Sequence, residues 1–387
     1  MVQEIALLMV TSLSFALGFG WLGQPQLLGY IATGMVLGPF FRQSQHYIFI
    51  DILGQFGMLM LLFMIGIEFN LKKFKKIWKE ALCIFFAQLS FSFIIAFFLQ
   101  YILQICLQFA VLLAFLFTLS STAVVIKLLE EMDVLNTSNG SLIVSILIIQ
   151  DLAIAPMIII LKGFQQQQSL MEIMLKILFS VGVLSLLIWY LSEKSNKIFK
   201  PIKVLFEQNQ ETMTLASLAI CFGFAALSDG LGLSHSYGPF LAGLILGSFG
   251  NKHEIIHYAK PIGSILMMMF FIFIGSRIDL SYVWNELQLL IILSLVLVSI
   301  KLFMNYMILI FMGFSKKNSF FVSSMLSQAS EFSFMFVAIL YSAKVISGEY
   351  QMFLDTLIVI SLTLGSILPV LAEYCVEFLD AKQQQQR

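Results

Sequence analysis

Long apolar runs, separated by short charged or turn-rich breaks, dominate the hydrophobic pattern of the chain. A helix that crosses the apolar core of a bilayer, about 30 Å thick, needs about 20 predominantly apolar residues. The pattern therefore predicts an all-α polytopic membrane protein with thirteen membrane-spanning helices. These predicted spans fall at residues 4–21, 25–41, 51–70, 81–103, 108–131, 139–161, 170–191, 213–228, 235–249, 259–276, 286–313, 317–345 and 350–378.

The basic residues test this count and orient the spans. If the N-terminus lies outside, sixteen of the 22 Lys and Arg residues fall in cytoplasmic segments and four in outside loops. Five of the sixteen follow span 3, namely Lys72, Lys73, Lys75, Lys76 and Lys79. Because cytoplasmic loops of membrane proteins carry an excess of Lys and Arg, we predict an outside N-terminus and a cytoplasmic C-terminus.

Composition excludes several other classes of protein. Only 11% of the 387 residues are charged, and 22 acidic residues balance 22 basic ones, so the chain lacks a basic field for nucleic acid. The cysteines are Cys83, Cys106, Cys221 and Cys375, scattered singly through apolar runs, which excludes a disulfide scaffold. We expect contact with the lipid bilayer and with small ions, and no nucleic acid.

Glycine spacing reveals an internal repeat with an offset of 209 residues. The stretch Gly29–Gly38 has the same glycine spacing as Gly238–Gly247, and six of the nine glycines in residues 1–131 find a glycine partner at this offset. The offset carries span 1 onto span 8, so the second copy enters the membrane in the opposite direction. Inverted repeats of this kind are typical of secondary transporters, whose substrate site lies at the membrane midplane.

Three ionisable residues lie at the centres of predicted spans, where charge is costly and functional by default. They are Asp151 in span 6, Lys301 in span 11 and Glu331 in span 12. Gln150 precedes Asp151 and is a further candidate. Lys301 and Glu331 also fit a structural ion pair, and this alternative stays open.

Span 5 contains a polar cluster at the same depth, Ser120, Ser121 and Thr122, which the offset maps onto Ala329, Ser330 and Glu331. Hydroxyl groups can bend or unwind a membrane helix and free its carbonyls as cation ligands. The pattern therefore predicts two broken helices that cross at the midplane. Local capping by these hydroxyl groups is the alternative.

These motifs together resemble the second monovalent cation:proton antiporter family. The resemblance rests on Leu28–Pro39, Ser120–Ala123, Gln150-Asp151, Gly238–Gly243 and Glu331–Phe334, in the expected order along the whole chain. Gln-Asp in span 6 is similar to the Kef-type potassium efflux branch, whereas sodium/proton relatives carry Asp-Asp there. The resemblance implies a sodium/proton antiporter-like fold and a bacterial inner membrane.

The resemblance also implies a homodimer and a division of labour between spans. Spans 1–3 and 8–10 would form a scaffold or dimer domain, and spans 4–6 and 11–13 a moving transport core. The chain then divides into repeat 1, a connector with span 7, repeat 2 and a cytoplasmic tail, at residues 1–161, 162–212, 213–378 and 379–387. Kef-type proteins usually continue into a cytosolic regulatory domain, so we expect such a domain or subunit beyond this chain.

The expected activity is exchange of K⁺ for H⁺ by alternating access at Asp151, with no enzymatic activity, no cofactor and no nucleotide site in this chain. Thr122, Ser121, Ser120 and Gln150 would ligate the ion, and Lys301, Glu331 and Ser330 would be its charged and polar partners. Na⁺/H⁺ exchange at the same site is the main alternative, and a gated K⁺ channel is a weaker one. His253 and His257 have metal-ligand spacing, but they lie in a predicted cytoplasmic loop with Lys and Glu, and not at the depth of the mid-membrane acidic residues.

Overall fold

A computed structural model describes residues 2–24, 26–42, 47–68, 71–135, 137–166, 168–194, 210–230, 237–248 and 252–385. These described residues form sixteen regular elements, and all of them are α-helices. They are α1 Val2–Trp21, α2 Gln26–Arg42, α3 Tyr47–Glu68, α4 Leu71–Leu103, α5 Leu107–Thr118, α6 Thr122–Glu131, α7 Ser138–Gln165, α8 Leu170–Lys194, α9 Gln210–Gly230, α10 Tyr237–Gly247, α11 Lys252–Arg277, α12 Leu280–Asn285, α13 Leu287–Phe311, α14 Lys316–Met325, α15 Phe332–Ser342 and α16 Gly348–Gln385. Most of the linker after span 7, including residues 195–209, lies outside the described residues.

Every predicted span contains a helix, and the predicted all-α class is confirmed. Within the described residues, eight helices are long and apolar enough to cross a membrane, and four shorter apolar helices accompany them. Several helices extend past the predicted boundaries: α4 begins at Leu71, ten residues before predicted span 4. The boundaries differ because Lys and Glu are good helix formers, so a polar end does not stop a helix where the apolar run stops.

Two predicted spans are interrupted. Span 5 is divided into α5 and α6 by residues 119–121, and span 12 is divided into α14 and α15 by residues 326–331. We call these segments the first and the second break. The offset of 209 residues carries the first break onto residues 328–330, inside the second break. The predicted pair of broken helices is therefore present.

The helices pack as two compact units, each assembled from two separate stretches of chain. Unit 1 comprises residues 1–75 and 155–278, and unit 2 comprises residues 76–154 and 279–387. Each stretch of one repeat thus packs with the corresponding stretch of the other. The roles of scaffold and moving core that we assigned to these spans stay a prediction.

In unit 1, glycines allow the helices to pack with their backbones in contact. A Cβ atom on Gly34 of α2 would overlap the carbonyl oxygen of Ile272 in α11. A Cβ atom on Gly243 of α10 would overlap the carbonyl oxygen of Phe63 in α3. Small residues at such positions allow two helices to approach closely in a membrane.

These close approaches obey the 209-residue offset. Gly34 corresponds to Gly243, and Ile272 corresponds to Phe63, so the two contacts exchange when the repeats are exchanged. Gly57 approaches the carbonyl oxygen of Leu266, its own counterpart. An exchange of this kind is what a two-fold axis within unit 1 produces. The glycine repeat therefore appears in the packing as well as in the sequence.

In unit 2, a buried apolar cluster packs at the start of the first break. α13 contributes Leu290, Leu297 and Val298 to a buried cluster that also contains Phe117 from the end of α5 and Leu357 from α16. The cluster holds the end of α5, where the first break begins, against two long helices. The first break thus begins beside apolar packing, where its main-chain groups need hydrogen-bond partners from the protein.

We predict that Gly34→Ala and Gly243→Ala destabilise the protein by similar amounts, about 1–3 kcal/mol each, because each methyl group overpacks an equivalent backbone contact. The midpoint of thermal unfolding in detergent measures the effect. Gly223→Ala is the matched control, because a Cβ atom on Gly223 of α9 meets nothing within 4 Å. It should leave the midpoint unchanged or raise it slightly through helix propensity. A loss confined to one of the two contacts would contradict the symmetry.

Candidate functional site

The first break is built by hydroxyl groups that replace helical hydrogen bonds. The main-chain N–H of Val124 donates to Ser121 Oγ at 3.3 Å, so Ser121 caps the start of α6. Ser120 Oγ donates to the carbonyl oxygen of Leu326 in the second break at 2.7 Å. The polar cluster predicted from the sequence therefore both interrupts a helix and joins the two breaks. Local capping, the alternative that the sequence left open, accounts for Ser121 but not for Ser120.

The second break is closed in a similar way. The main-chain N–H of Phe332 donates to Ser330 Oγ at 3.3 Å. The N–H of Ala329 donates at 3.1 Å to the hydroxyl of Ser361 in α16. Ala329 corresponds to Ser120 under the offset, and the N–H of Ser120 is also bound by a side chain from the next span, since it donates to Gln150 of α7. Equivalent positions thus receive equivalent support, from an amide in one repeat and a hydroxyl in the other.

Asp151 lies in the middle of α7, beside the start of α6, and only 8% of its surface is exposed. Thr122 Oγ1 is 3.1 Å from both carboxylate oxygens and can donate its hydrogen to either one. Thr122 is the first residue of α6, and the N-terminus of a helix favours a nearby negative charge. Glu331, in the second break, interacts electrostatically with Asp151. The structure thus places Asp151, Thr122 and Glu331 around one small region of unit 2.

Gln150, next to Asp151, makes both of its amide hydrogen bonds within unit 2. Its Oε1 accepts from the main-chain N–H of Ser120 at 2.9 Å. Its Nε2 donates to Gln88 Oε1 of α4 at 3.0 Å. The amide oxygen expected to bind an ion is therefore engaged with the first break in this structure. Its role as an ion ligand stays a prediction.

The hydrogen bonds of Gln150 belong to a closed ring. Gln88 Nε2 donates to Asn305 Oδ1 of α13 at 2.8 Å, and Asn305 Nδ2 donates to the carbonyl oxygen of Leu326 at 3.3 Å. That carbonyl oxygen also accepts from Ser120 Oγ, which returns the ring to the residue bound by Gln150. We call Gln88, Ser120, Gln150, Asn305 and Leu326 the amide ring. It ties three long helices and both breaks together in a region with almost no exposure to solvent.

Lys301 of α13 is fully buried and contacts the end of a helix. Its Nζ donates to the carbonyl oxygens of Leu116, at 3.3 Å, and of Leu119. These carbonyls belong to the last turn and the C-cap of α5, where a positive charge is favoured. The two recorded hydrogen bonds of Lys301 therefore support the α5 end of the first break and do not reach Glu331. A role for Lys301 as charge partner of the ion site stays a prediction.

Sequence reasoning missed four uncharged members of this site. These residues are buried in unit 2, but they carry no charge and are less conspicuous in an apolar span than ionisable residues are. They are Gln88, Asn305, Ser361 and Gln328. The signal was present, because an amide in the middle of an apolar helix must find partners within the protein. Their pairing could not be derived, since it depends on which helices are neighbours.

We predict that the substitutions Gln88→Met and Asn305→Leu are strongly coupled. Each single change leaves buried partners of the amide ring without a hydrogen bond, at a cost of about 1–3 kcal/mol. The double variant should lose less than the sum of the two losses, by about 0.5–3 kcal/mol. Thermal unfolding in detergent measures this cycle. Thr118→Val is the control partner for Gln88→Met, because Thr118 Oγ1 bonds within its own helix, and that pair should be additive.

Comparison with known proteins identifies the family of this chain. The family model described as sodium/hydrogen exchanger, transmembrane, matches residues 5–373. The iron transporter MagA of Paramagnetospirillum magneticum is 36% identical over 345 residues, which cover 89% of this chain and 79% of that protein. K(+) efflux antiporter 5 of Arabidopsis thaliana is 25% identical over 362 residues. Those residues cover 92% of this chain but 63% of the plant protein.

A solved structure agrees with the family at the level of the fold. The sodium proton antiporter MjNhaP1 from Methanocaldococcus jannaschii superposes with a TM-score of 0.67 at 16% identity, over 97% of this chain and 99% of that one. The predicted sodium/proton antiporter-like fold is therefore confirmed. The chain belongs to the sodium/hydrogen exchanger family of membrane transporters.

Proposed function

We propose that this protein exchanges K⁺ for H⁺ by alternating access, with Asp151 as the group that takes either the proton or the cation. The observation that carries the proposal is a nearly buried carboxylate whose recorded hydrogen bonds come from one hydroxyl group, beside a broken helix. A structural carboxylate at this depth would be expected to have a full set of partners. Asp151 instead retains oxygen lone pairs for a ligand.

Competition at one carboxylate explains how transport would be coupled. A carboxylate with no neutralising partner is costly in an apolar environment, and either a proton or a monovalent cation relieves that cost. The transport core would then move between its two orientations readily only when Asp151 holds a proton or a cation. Exchange at a single titrating carboxylate predicts an electroneutral ratio of one proton for one cation, unless Lys301 also releases a proton during the cycle.

The groups around Asp151 suggest separate roles for the candidate residues. Thr122 is the first choice for a second cation ligand, because its hydroxyl already contacts both carboxylate oxygens. Ser120, Ser121 and Gln150 bind the main chain, so in this state they maintain the break that shapes the site. Each of these oxygen atoms keeps a lone pair beyond its hydrogen bond, so it would become a ligand only if the cation approached the break itself. Ser330, Glu331 and Lys301 would adjust the charge and geometry around the site.

The choice of cation rests on the relatives and on the donor atoms. Asp151 and Thr122 offer oxygen, which hard cations such as K⁺ and Na⁺ prefer. K⁺ is favoured by the Gln150-Asp151 order and by the plant relatives named as K(+) efflux antiporters. Na⁺ is the alternative suggested by the likeness to MjNhaP1. The relative named as an iron transporter makes Fe²⁺ a necessary comparison in any assay.

The cellular setting completes the proposal. We propose a multi-pass protein of the cell membrane, with its N-terminus outside, acting as a homodimer. Spans 1–3 and 8–10 would provide the scaffold, and spans 4–6 and 11–13 the moving core. A cytosolic regulatory domain or subunit would act on the transport core from outside this chain.

We predict that Asp151→Asn abolishes cation-driven proton movement in proteoliposomes. The amide does not take up a proton, and it lacks the negative charge with which the carboxylate binds a cation. A pH-sensitive dye reports pulses of K⁺, Na⁺, Rb⁺ and Fe²⁺, with and without valinomycin and a protonophore. Asp133→Asn is the matched control, since Asp133 is exposed and has a positive φ of 54°, which Asn tolerates equally well. It should retain wild-type flux.

Each outcome of this assay has a distinct meaning. A K⁺ response that is lost only in Asp151→Asn supports K⁺/H⁺ exchange at this carboxylate. A response to Na⁺ alone, or to Fe²⁺ alone, would overturn the choice of cation and keep the site. Full proton-coupled flux in Asp151→Asn would overturn the mechanism, and K⁺ flux without proton movement would favour a channel.

We further predict that Thr122→Val raises the KM for the driving cation about tenfold, because the valine removes a hydroxyl group next to Asp151 while keeping its shape. Thr122→Ser retains the hydroxyl group and should stay within about twofold of wild type. Initial rates against cation concentration in proteoliposomes measure both variants. Equal KM values for the Val and Ser variants would show that the hydroxyl group has no part in cation binding.

A further inference from the structure

Gln328, in the second break, is a fully buried amide whose hydrogen-bonding capacity is unused. None of its surface is exposed, and neither Oε1 nor Nε2 has a hydrogen-bond partner among the residues that the structure describes. Nearly all buried polar side-chain atoms in folded proteins are hydrogen-bonded, so an amide with both ends unpaired requires an explanation. The free-energy cost of an unpaired amide is greater in a buried, low-dielectric environment than in water.

Closure of the second break does not require this amide. The main chain on either side is bound by other groups: Ser120 and Asn305 bind the carbonyl oxygen of Leu326, and Ser361 binds the N–H of Ala329. Ser330 then caps the start of α15. The hydroxyl groups of the first break are all engaged as well. Among the described residues that bind the main chain of the second break, Gln328 is absent, and both polar atoms of its amide are left without a hydrogen bond.

The fold makes room for this side chain. Gly365 of α16 faces Gln328, and a Cβ atom at position 365 would overlap the Cβ atom of Gln328 and lie 3.0 Å from its Oε1. A long helix therefore carries glycine, a poor helix former, where it packs closely against Gln328, and the amide oxygen lies beside that glycine. An apolar side chain of the same length would occupy this space without leaving polar atoms unpaired.

Gln328 is placed within reach of the transport site. It lies two residues after Leu326, whose carbonyl oxygen is bound by Ser120 at 2.7 Å, and three residues before Glu331, which interacts with Asp151. Two residues of extended chain span about 7 Å at most. The second break is thus joined to the first break at Leu326 and lies near Asp151 at Glu331, and Gln328 lies between these two residues in the same non-helical segment.

We propose that Gln328 is a cation-binding and specificity-determining residue of the transport site, with Oε1 as a ligand that is completed when a monovalent cation binds at Asp151. An amide oxygen is a neutral, hard donor of the kind that replaces water around K⁺ and Na⁺. Being neutral, it adds a ligand without changing the charge of the site. The amide oxygen of Gln328 would then acquire its partner when the cation binds. This inference rests on the proposed cation exchange.

The test compares the same substitution at two fully buried glutamines. In detergent without K⁺ or Na⁺, Gln328→Met should raise the midpoint of thermal unfolding, because it removes unpaired polar atoms. Gln88→Met should lower it, because Gln88 is hydrogen-bonded in the amide ring. In proteoliposomes, Gln328→Met should raise the KM for the cation about tenfold and change the ratio of K⁺ to Na⁺ response. Gln328→Asn keeps an amide on a shorter side chain, so its KM for the cation should rise less than that of Gln328→Met.

A second measurement separates this inference from the proposed function. Addition of K⁺ or Na⁺ should raise the unfolding midpoint of the wild type by mass action, and Gln328→Met should lose most of that shift. If the wild type moves no protons with any cation but shows this shift, the exchange proposal fails and the role of Gln328 as a ligand stands. A cation KM and a cation-induced shift unchanged in Gln328→Met would overturn the inference. So would a lower midpoint of Gln328→Met without cation, since the amide would then have a partner in the folded protein.

Discussion

The structure depends on keeping two interrupted helices hydrogen-bonded inside an apolar unit. A main-chain group with no partner is very costly where water and lipid offer none, so irregular backbone at membrane depth needs partners from the protein. Unit 2 meets this need with side chains: Ser121 and Ser330 cap the new helix starts, and the amide ring joins the breaks to α4, α7 and α13. Lys301 supports the end of α5. The polar residues of the spans are thus first of all the means by which the breaks exist.

This requirement changes the interpretation of the site. Residues chosen from the sequence as ion ligands divide into those that hold the breaks and those that face Asp151. Gln150, Ser120 and Ser121 belong to the first group in this structure, and Thr122 belongs to the second. A carboxylate bound by one hydroxyl group, and a buried amide in the second break with no partner among the described residues, leave oxygen atoms in unit 2 that a cation or proton can bind. Stability therefore requires residues whose hydrogen bonds are complete, whereas the proposed function requires neighbouring residues that keep free oxygen lone pairs.

The two repeats share geometry in unit 1 and diverge in chemistry in unit 2. In unit 1 the paired approaches of Gly34 to Ile272 and of Gly243 to Phe63 follow the same rule, since close packing needs only small residues at equivalent positions. In unit 2 the offset maps Asp151 onto Ile360 and Lys301 onto Ser92, so the charges occur once. A single asymmetric site on a symmetric frame is consistent with one cation and one proton competing for one carboxylate.

The sequence by itself determined the all-α membrane class, the approximate spans, the repeat and the region of the site. It did so because lipid demands long apolar helices, because the repeat has a fixed offset, and because charge in the membrane is rare enough to be conspicuous. Only the tertiary structure decided how polar groups pair. Gln88 and Asn305 lie 217 residues apart, and the bond between them exists only because α4 and α13 are neighbours. The same holds for Lys301, whose carbonyl partners lie in α5 and at its C-cap, and for Gln328, whose lack of partners no sequence pattern could indicate.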